Sequence, residues 1–288
     1  MKKPLNFMLI GGDLRQVYLG ESLLKDGHQV SVFGLDRQNF SREIHVHKQL
    51  EGTHADVVIF PMPLQNGENL QAPLSNGVHK LKAVAEALPA NQFITGGAIL
   101  PPSMDIFKAC HLDVVDYLKR EELAILNTIP TCEGAIQIAM EELPITLHGA
   151  RCLVVGYGRI GKVLSRKLRA LGAQVTVTAR KQSDFAWITS QGMDGKSTTE
   201  LENYISDYDL IINTVPALLF HRGVLSKMQP DSLLIDLASK PGGVDFLAAQ
   251  NLGRKVIWAL SLPGKVAPQT AAKAIKQTIY NILDERGI

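Results

Sequence analysis

Short apolar runs recur along the chain, each ended by a glycine- or proline-bearing turn and separated by stretches with helical spacing. Phe7–Ile10, Val30–Phe33, Val57–Phe60 and Phe93–Thr95 are the runs of the first half; Cys152–Val155, Val175–Thr178, Leu210–Asn213, Leu233–Leu237 and Lys255–Leu260 are those of the second. Runs this short, rich in valine and isoleucine, predict strands buried on both faces rather than buried helices. Between them, apolar positions at helical spacing predict helices over Tyr18–Leu24, Val78–Leu88, Leu201–Ile205 and Gln269–Asp284, and one over Glu133–Leu143 capped by Thr131. The stretch Gln65–Asn76, rich in Asn, Gln, Gly and Pro, predicts a loop. Strands alternating with helices predict an α/β fold built on parallel sheets.

One unit is more regular than the rest. Cys152–Val155 leads into Gly156-Tyr157-Gly158-Arg159-Ile160-Gly161, then a helix with Val163, Leu164, Leu168 and Leu171 on one side, a stop at Gly172, and the strand Val175–Thr178. Strand, glycine turn, helix and strand at this spacing predict a dinucleotide site. Gly156 makes the tight turn, Gly158 lets the backbone approach a diphosphate, and Gly161 lets helix and strand pack closely. The diphosphate then lies on the free amides at the helix start, those of Arg159 and Ile160, with the helix dipole behind them. An NAD site places Asp or Glu at the end of the second strand, to bind the ribose 2′-hydroxyl. Here stand Ala179-Arg180-Lys181-Gln182-Ser183, with no carboxylate before Asp184. Arg180 can pair bidentately with a 2′-phosphate and Ser183 can donate to it, so the expected cofactor is NADP. The plain alternative is that Arg180 is a solvated surface residue.

Ligands of an open parallel sheet gather at the carboxyl ends of its strands. By that rule Asn213, Thr214, Val215 and Pro216, then Asp236, Leu237, Ala238 and Ser239 with the turn to Gly243, and Ser261–Gly264 with Pro263, should line the nucleotide. The first segment carries a faint echo of the central unit. Laid against it, Gly11 falls on Gly156, Gly27 on Gly172 and Gly34 on Ala179, but Asp13 falls on Gly158 and Gln16 on Gly161. A carboxylate where a diphosphate should sit repels it, so this half is expected to present its strand ends to substrate instead. The expected organisation is two Rossmann-like, doubly wound lobes with a cleft between them. Residues 1–130, joined by the final helix (266–288), form the substrate lobe, and residues 131–265 form the NADP lobe.

Composition narrows this further. A chain of 288 residues with 45% hydrophobic content can bury two ordinary cores, and a net charge of +2 offers no electrostatic footprint for nucleic acid or a membrane surface. Three cysteines, Cys110, Cys132 and Cys152, are an odd set in a large chain and point to a reducing cytoplasm. The N-terminal MKKPLNFMLIGGD has lysines and a few apolar residues, but the apolar part is short and no small-residue cleavage site follows; it reads as a first strand. His45 and His47 at alternate strand positions, with His54 nearby, find no carboxylate or cysteine to complete a set, so no metal is expected.

Four motifs carry a family resemblance. Gly11-Gly12-Asp13 with Arg15-Gln16; Asn127–Thr131 with Glu133-Gly134; Asp236–Gly243 with Asp245-Phe246; and Leu262–Gly264 with Val266–Pro268 resemble the A subunits of sporulation dipicolinate synthases. One departure is Lys240, where Bacillus-type members are expected to carry arginine. The resemblance implies a fold like formate and glycerate dehydrogenases. It also implies oxidation of dihydrodipicolinate, or its hydrated precursor, to pyridine-2,6-dicarboxylate with NADP, alongside a second, flavoprotein-like B subunit. The setting it implies is the cytoplasm of a sporulating mother cell. The residues are silent on oligomeric state; a homo-oligomer is the expected assembly.

A dianionic substrate calls for cations, and Arg15 and Lys240 are the candidates, each with the plain alternative of a surface charge. Aromatisation also needs a proton acceptor; Asp13, Glu121 and Glu133 are the carboxylates weighed, though Asp13 also suits a turn and Glu133 a helix start. Ser239 can hydrogen-bond the substrate or the nicotinamide amide. Two other readings stay open: a 2-hydroxyacid or saccharopine-type dehydrogenase, and an NADP-binding regulatory subunit without turnover of its own.

Overall fold

Each apolar run pairs with others of its kind, because only a parallel sheet covered by helices satisfies its backbone groups while hiding both faces from water. The structure, a computed structural model, describes residues 3–50 and 54–288. Met1 and Lys2, weighed above as part of a leader, lie outside that range. Two compact units emerge: Met1–Asn127 with Ala267–Ile288, and Thr128–Val266.

In the first unit the strands are β1 (Asn6–Ile10), β2 (Gln29–Phe33), β3 (His45–His47), β4 (Val57–Ile59), β7 (Phe93–Gly96) and β8 (Asp113–Asp116), with a small hairpin of β5 (Gln65–Asn66) and β6 (Asn69–Leu70). The sheet runs β3-β2-β1-β4-β7-β8, and every neighbouring pair is parallel. The helices are α1 (Leu14–Lys25), α2 (Leu81–Glu86), α3 (Pro101–Ala109) and α4 (Glu121–Leu126). A C-terminal helix, Pro268–Glu285, returns to this unit. It has no strand of its own to follow; its buried face, Ala272, Ala274, Ile275, Ile279, Ile282 and Leu283, joins the core of Leu19, Leu23, Val32 and Ile59. Lys276 and Tyr280 both donate to Asp26, and Arg120 pairs with Glu285, which fixes the register of the return.

The second unit opens with α5 (Thr128–Glu142) and continues with β9 (Arg151–Val155), α6 (Arg159–Ala170), β10 (Gln174–Ala179), α7 (Gln182–Ser190), β11 (Asp194–Ser197), β12 (Leu210–Asn213), α8 (Arg222–Ser226), β13 (Leu233–Asp236), α9 (Phe246–Asn251), β14 (Lys255–Trp258) and α10 (Leu262–Val266); the returning helix is α11. Its sheet runs β11-β10-β9-β12-β13-β14, again all parallel. Both sheets therefore place their strands in the same doubly wound order, with the first strand third from one edge.

Several boundaries differ from expectation, each for a physical reason. The helix read from Glu133 starts at Thr128, so Thr131 lies inside it rather than capping it. Pro130 falls in the first turn, where no intrahelical N–H is needed, and therefore opens this helix rather than blocking it. Gly134 faces α10, where an added Cβ would sit 3.2 Å from Leu262 and Val266. The helix read over Val78–Leu88 shrinks to α2, and that read over Leu201–Ile205 becomes 3-10 turns, Thr198–Asn203 and Ile205–Asp207. Among the described residues no helix is long and apolar enough to cross a membrane.

Candidate functional site

The glycine turn of the second unit has the stereochemistry its sequence demands. Gly156 adopts φ +98°, and a Cβ there would lie 2.7 Å from Thr214 Oγ1 and Val215 Cγ2. A Cβ on Gly161 would lie 2.0 Å from the Gly156 carbonyl, so α6 packs on β9 only because that residue is glycine. Gly158 is different: a Cβ there would meet nothing within 4 Å. It is the N-cap of α6, and among the described residues no side chain caps that helix. The 12-residue helix α6 thus starts without a side-chain cap, beside open space at Gly158, a cradle that fits a diphosphate and would be narrowed by any side chain. Arg159 is exposed and Ile160 half-buried at this start.

At the carboxyl end of β10, Ala179 is buried while Arg180 and Ser183 are exposed, Ser183 in the first turn of α7. No carboxylate intervenes before Asp184. The strand carries one feature that the apolar pattern did not reveal: the Gly156 amide donates to Thr178 Oγ1 at 3.1 Å, and Thr178 is wholly buried.

The next two strand ends correct the expectation for Asn213 and Asp236. Both side chains are 0% exposed and turn inward. Asn213 Nδ2 donates to Asp236 Oδ1 at 2.9 Å and to the Val215 carbonyl at 3.0 Å, and its Oδ1 accepts the Val215 amide. Asp236 also accepts the Ala238 and Gly243 amides, at 3.0 and 2.8 Å. A buried carboxylate needs several such donors, and here they come from the loop that it shapes. The side chains of these two residues therefore build the turns on which other groups are displayed. Displayed are Thr214 and Val215, half-buried, with Pro216 exposed; the Thr214 hydroxyl donates to the Val155 carbonyl. Beyond Asp236, Leu237 and Ala238 are buried, whereas Ser239 and Lys240 are exposed. Trp258 Nε1 donates to the Ala238 carbonyl at 3.0 Å and holds this segment down. Pro263 is half-buried in α10.

In the first unit the corresponding turn is filled by its own side chains. Asp13 caps α1, accepting the Arg15 amide at 3.0 Å, and binds the Arg15 guanidinium through Nε at 2.9 Å and Nη2 at 2.7 Å. Arg15 Nη2 also donates to the Met62 carbonyl. The Arg15 side chain is only 8% exposed against 36% for Asp13. Arg15 is therefore the buried member that orients Asp13, not an open cation. Nearby, the Tyr117 hydroxyl donates to the Phe60 carbonyl at 3.1 Å, and burial pushes its phenol well above the usual range.

The other weighed carboxylates stand elsewhere. Glu121 is exposed in the first turn of α4, and Glu133 pairs with Lys167 at 2.8 Å across α5 and α6. His45 and His47 share a strand face with their rings 4.4 Å apart. Burial pushes the Cys132 and Cys152 thiols up to about 12, so neither is a nucleophile near neutral pH.

Comparison with known proteins agrees with this layout. Residues 6–118 match the family described as the N-terminal domain of the dipicolinate synthase A subunit. Residues 133–241 match the D-isomer specific 2-hydroxyacid dehydrogenase, NAD binding domain. The dipicolinate synthase A subunit of Bacillus subtilis (strain 168) is 34% identical, covering 99% of this chain and 98% of its own. The crystal structure of the A subunit of dipicolinate synthase from Bacillus halodurans superposes with a TM-score of 0.89 at 32% identity, over 96% of this chain and 97% of that one. A transhydrogenase from Sinorhizobium meliloti, 16% identical with a TM-score of 0.71 over 96% of this chain and 94% of that one, shares the fold. The second unit is thus a dehydrogenase domain for a nicotinamide cofactor. Matched from end to end by A subunits of one enzyme, the chain belongs to the family of dipicolinate synthase A subunits.

Proposed function

We propose that the chain oxidises a dihydrodipicolinate-type dicarboxylate, or its hydrated precursor, to pyridine-2,6-dicarboxylate with NADP, as one half of a two-component sporulation enzyme. The near full-length match to the Bacillus subtilis A subunit carries the substrate reading, and the name of that relative supports a partner, the B subunit. The exposed Arg180 at the end of β10, with no carboxylate before Asp184, supports NADP over NAD.

The chemistry the nucleotide supplies when bound is hydride acceptance. The dihydro ring loses one hydride and one proton and becomes aromatic, so the balance is dipicolinate, NADPH and a proton. Lys240, exposed just beyond the carboxyl end of β13, is the cation for a substrate carboxylate, and Ser239 beside it offers a hydroxyl donor. Asp13 takes the proton. Arg15 holds it in one orientation, and aromatisation of the ring drives the step. Glu133, tied to Lys167, and Glu121, at a helix start, serve their helices. A 2-hydroxyacid dehydrogenase would share the second unit, but it needs a histidine acid–base, and no histidine follows His221. His221 itself caps α8 through Nδ1.

The test is an assay of the purified chain with NADP and dihydrodipicolinate made in place by its aldolase, following NADPH and dipicolinate together. Matched formation of both, faster with NADP than NAD, is the expected result. Lys240→Ala should raise KM more than it lowers kcat. Nucleotide binding without turnover, even in the presence of the flavoprotein-like partner, would overturn the catalytic reading in favour of a regulatory role.

A further inference from the structure

We propose that Thr178 and Thr198 are positioning residues, a buried hydroxyl bridge that ties the glycine turn to the strand end carrying Arg180. Gly156 leaves the sheet at φ +98°, and its amide donates to Thr178 Oγ1 at 3.1 Å. The Thr198 hydroxyl lies 3.0 Å from Thr178 Oγ1 and 3.3 Å from the carbonyl of Ala179, the residue immediately before Arg180. Thr178 is 0% exposed and Thr198 8% exposed, so water does not compete for these bonds.

A strand buried on both faces has no packing need for a hydroxyl, and burying one costs free energy unless it is hydrogen-bonded. Thr178 therefore marks a requirement of the turn, whose first amide would otherwise be orphaned. Thr198 follows β11 directly and opens the next 3-10 turn, so it reaches back over the end of β10 from the neighbouring strand. The bridge thereby holds two recognition elements at a fixed spacing: the turn that carries the diphosphate cradle, and the end of β10 where the 2′-phosphate is to be read. This inference rests on the NADP reading for its second half, while the first half concerns any dinucleotide.

Calorimetric titration of the full chain with 2′-phospho-ADP-ribose and with ADP-ribose separates the two halves, because both carry the diphosphate and only the first carries the 2′-phosphate. Thr178→Val is expected to weaken both ligands by roughly fivefold, and Thr198→Val to weaken 2′-phospho-ADP-ribose by a similar factor while changing ADP-ribose by less than about twofold. Thr178→Ser and Thr198→Ser, which keep the hydroxyl, should bind within about twofold of the parent. For Thr198 the ratio of the two affinities, and for Thr178 the rescue by serine, are readouts that general loosening of the fold does not move. Should the valine variants fold poorly, Thr178→Ala and Thr198→Ala give the same comparison without the added bulk. Parent-like binding of both ligands by a folded Thr178→Val or Thr178→Ala variant, or equal weakening of both by a Thr198→Val or Thr198→Ala variant, would overturn the bridge. A parent chain that binds ADP-ribose as tightly as 2′-phospho-ADP-ribose would defeat the NADP reading instead. In that event the Thr178 variants with ADP-ribose still decide whether the turn depends on the bridge.

Discussion

The two units share one strand order, and each sends its first strand into a glycine turn and a 12-residue helix. In the second unit that helix start is left open: Gly158 has no neighbour within 4 Å of a would-be Cβ, and no described side chain caps α6. In the first unit the same place is filled. Asp13 caps α1, and a Cβ on Gly12 would meet Gln16 Cγ at 2.3 Å. The Gly12 amide already donates to the Gln71 carbonyl at 2.7 Å. Further out, where the second unit carries Arg180, the first has the buried Leu35; the next residue, Asp36, accepts the Asn76 amide at 2.7 Å, and Phe33 packs on His79 at 4.7 Å. The segment around residues 64–79 thus lies where a nucleotide would lie. The doubly wound fold supplies a helix start in both units, and a few side chains decide whether it is a ligand site or a filled corner.

The difference can be broken most severely by transplanting it. Gly158→Asp places the first unit's carboxylate in the second unit's open cradle, where there is room for it, so the protein should fold. Nucleotide affinity should fall at least about a hundredfold, about 2.7 kcal/mol, in a fluorescence titration. Asp13→Asn sharpens the comparison from the other side. Asparagine caps a helix as well as aspartate does, so the melting temperature should change little. The ion pair to Arg15 and the proton acceptor are lost together, and kcat should fall about a hundredfold with nucleotide binding intact.

Arg180→Ala is the next smaller effect: about tenfold weaker NADP and unchanged NAD, measured as separate dissociation constants. The smallest concerns pH. A hydrogen bond from Arg151 holds the Asp209 carboxyl below its usual range. Because its folded value is depressed, the stability it contributes is present above the unfolded value of about 4 and is lost as pH falls through the folded one. Asp209→Asn should therefore destabilise the chain by less than about 1 kcal/mol at pH 7, and progressively less in denaturant melts below about pH 4.

The parts that were readable in advance are those where one residue type meets one stereochemical need. Gly156 and Gly161 announce themselves because any Cβ there would collide with backbone or strand-end side chains, and the spacing alone carries that information. The return of α11 was readable from its amphipathic pattern without a sheet strand to serve. What escaped were elements whose sequence carries no apolar run. Edge strand β11, Asp194–Ser197, is half-exposed and reads as a polar loop, and α7 before it mixes Trp187 and Phe185 with serines and an aspartate. The strand-end polar residues misled for another reason. Asn213 and Asp236 occupy the positions where ligand-facing groups belong, and only the packed structure shows them turned inward onto each other. Thr178 was invisible because a threonine in a β-strand is ordinary until the amide above it is located.

The discontinuous make-up of the first unit has a consequence for how the chain is made. The second unit is one continuous stretch, Thr128–Val266, set within the span of the first, which needs Ala267–Ile288 to complete its core. During synthesis, the nucleotide unit has all its residues before the first unit does, although its segment is made later. The first unit must wait, with the faces of α1 and α4 that later receive α11 still wetted, until the last helix leaves the ribosome. Stopping the chain at residue 266 should leave a competent nucleotide unit joined to a first unit stripped of one side of its core. The length of chain already made, rather than its order from the N-terminus, decides which half matures first.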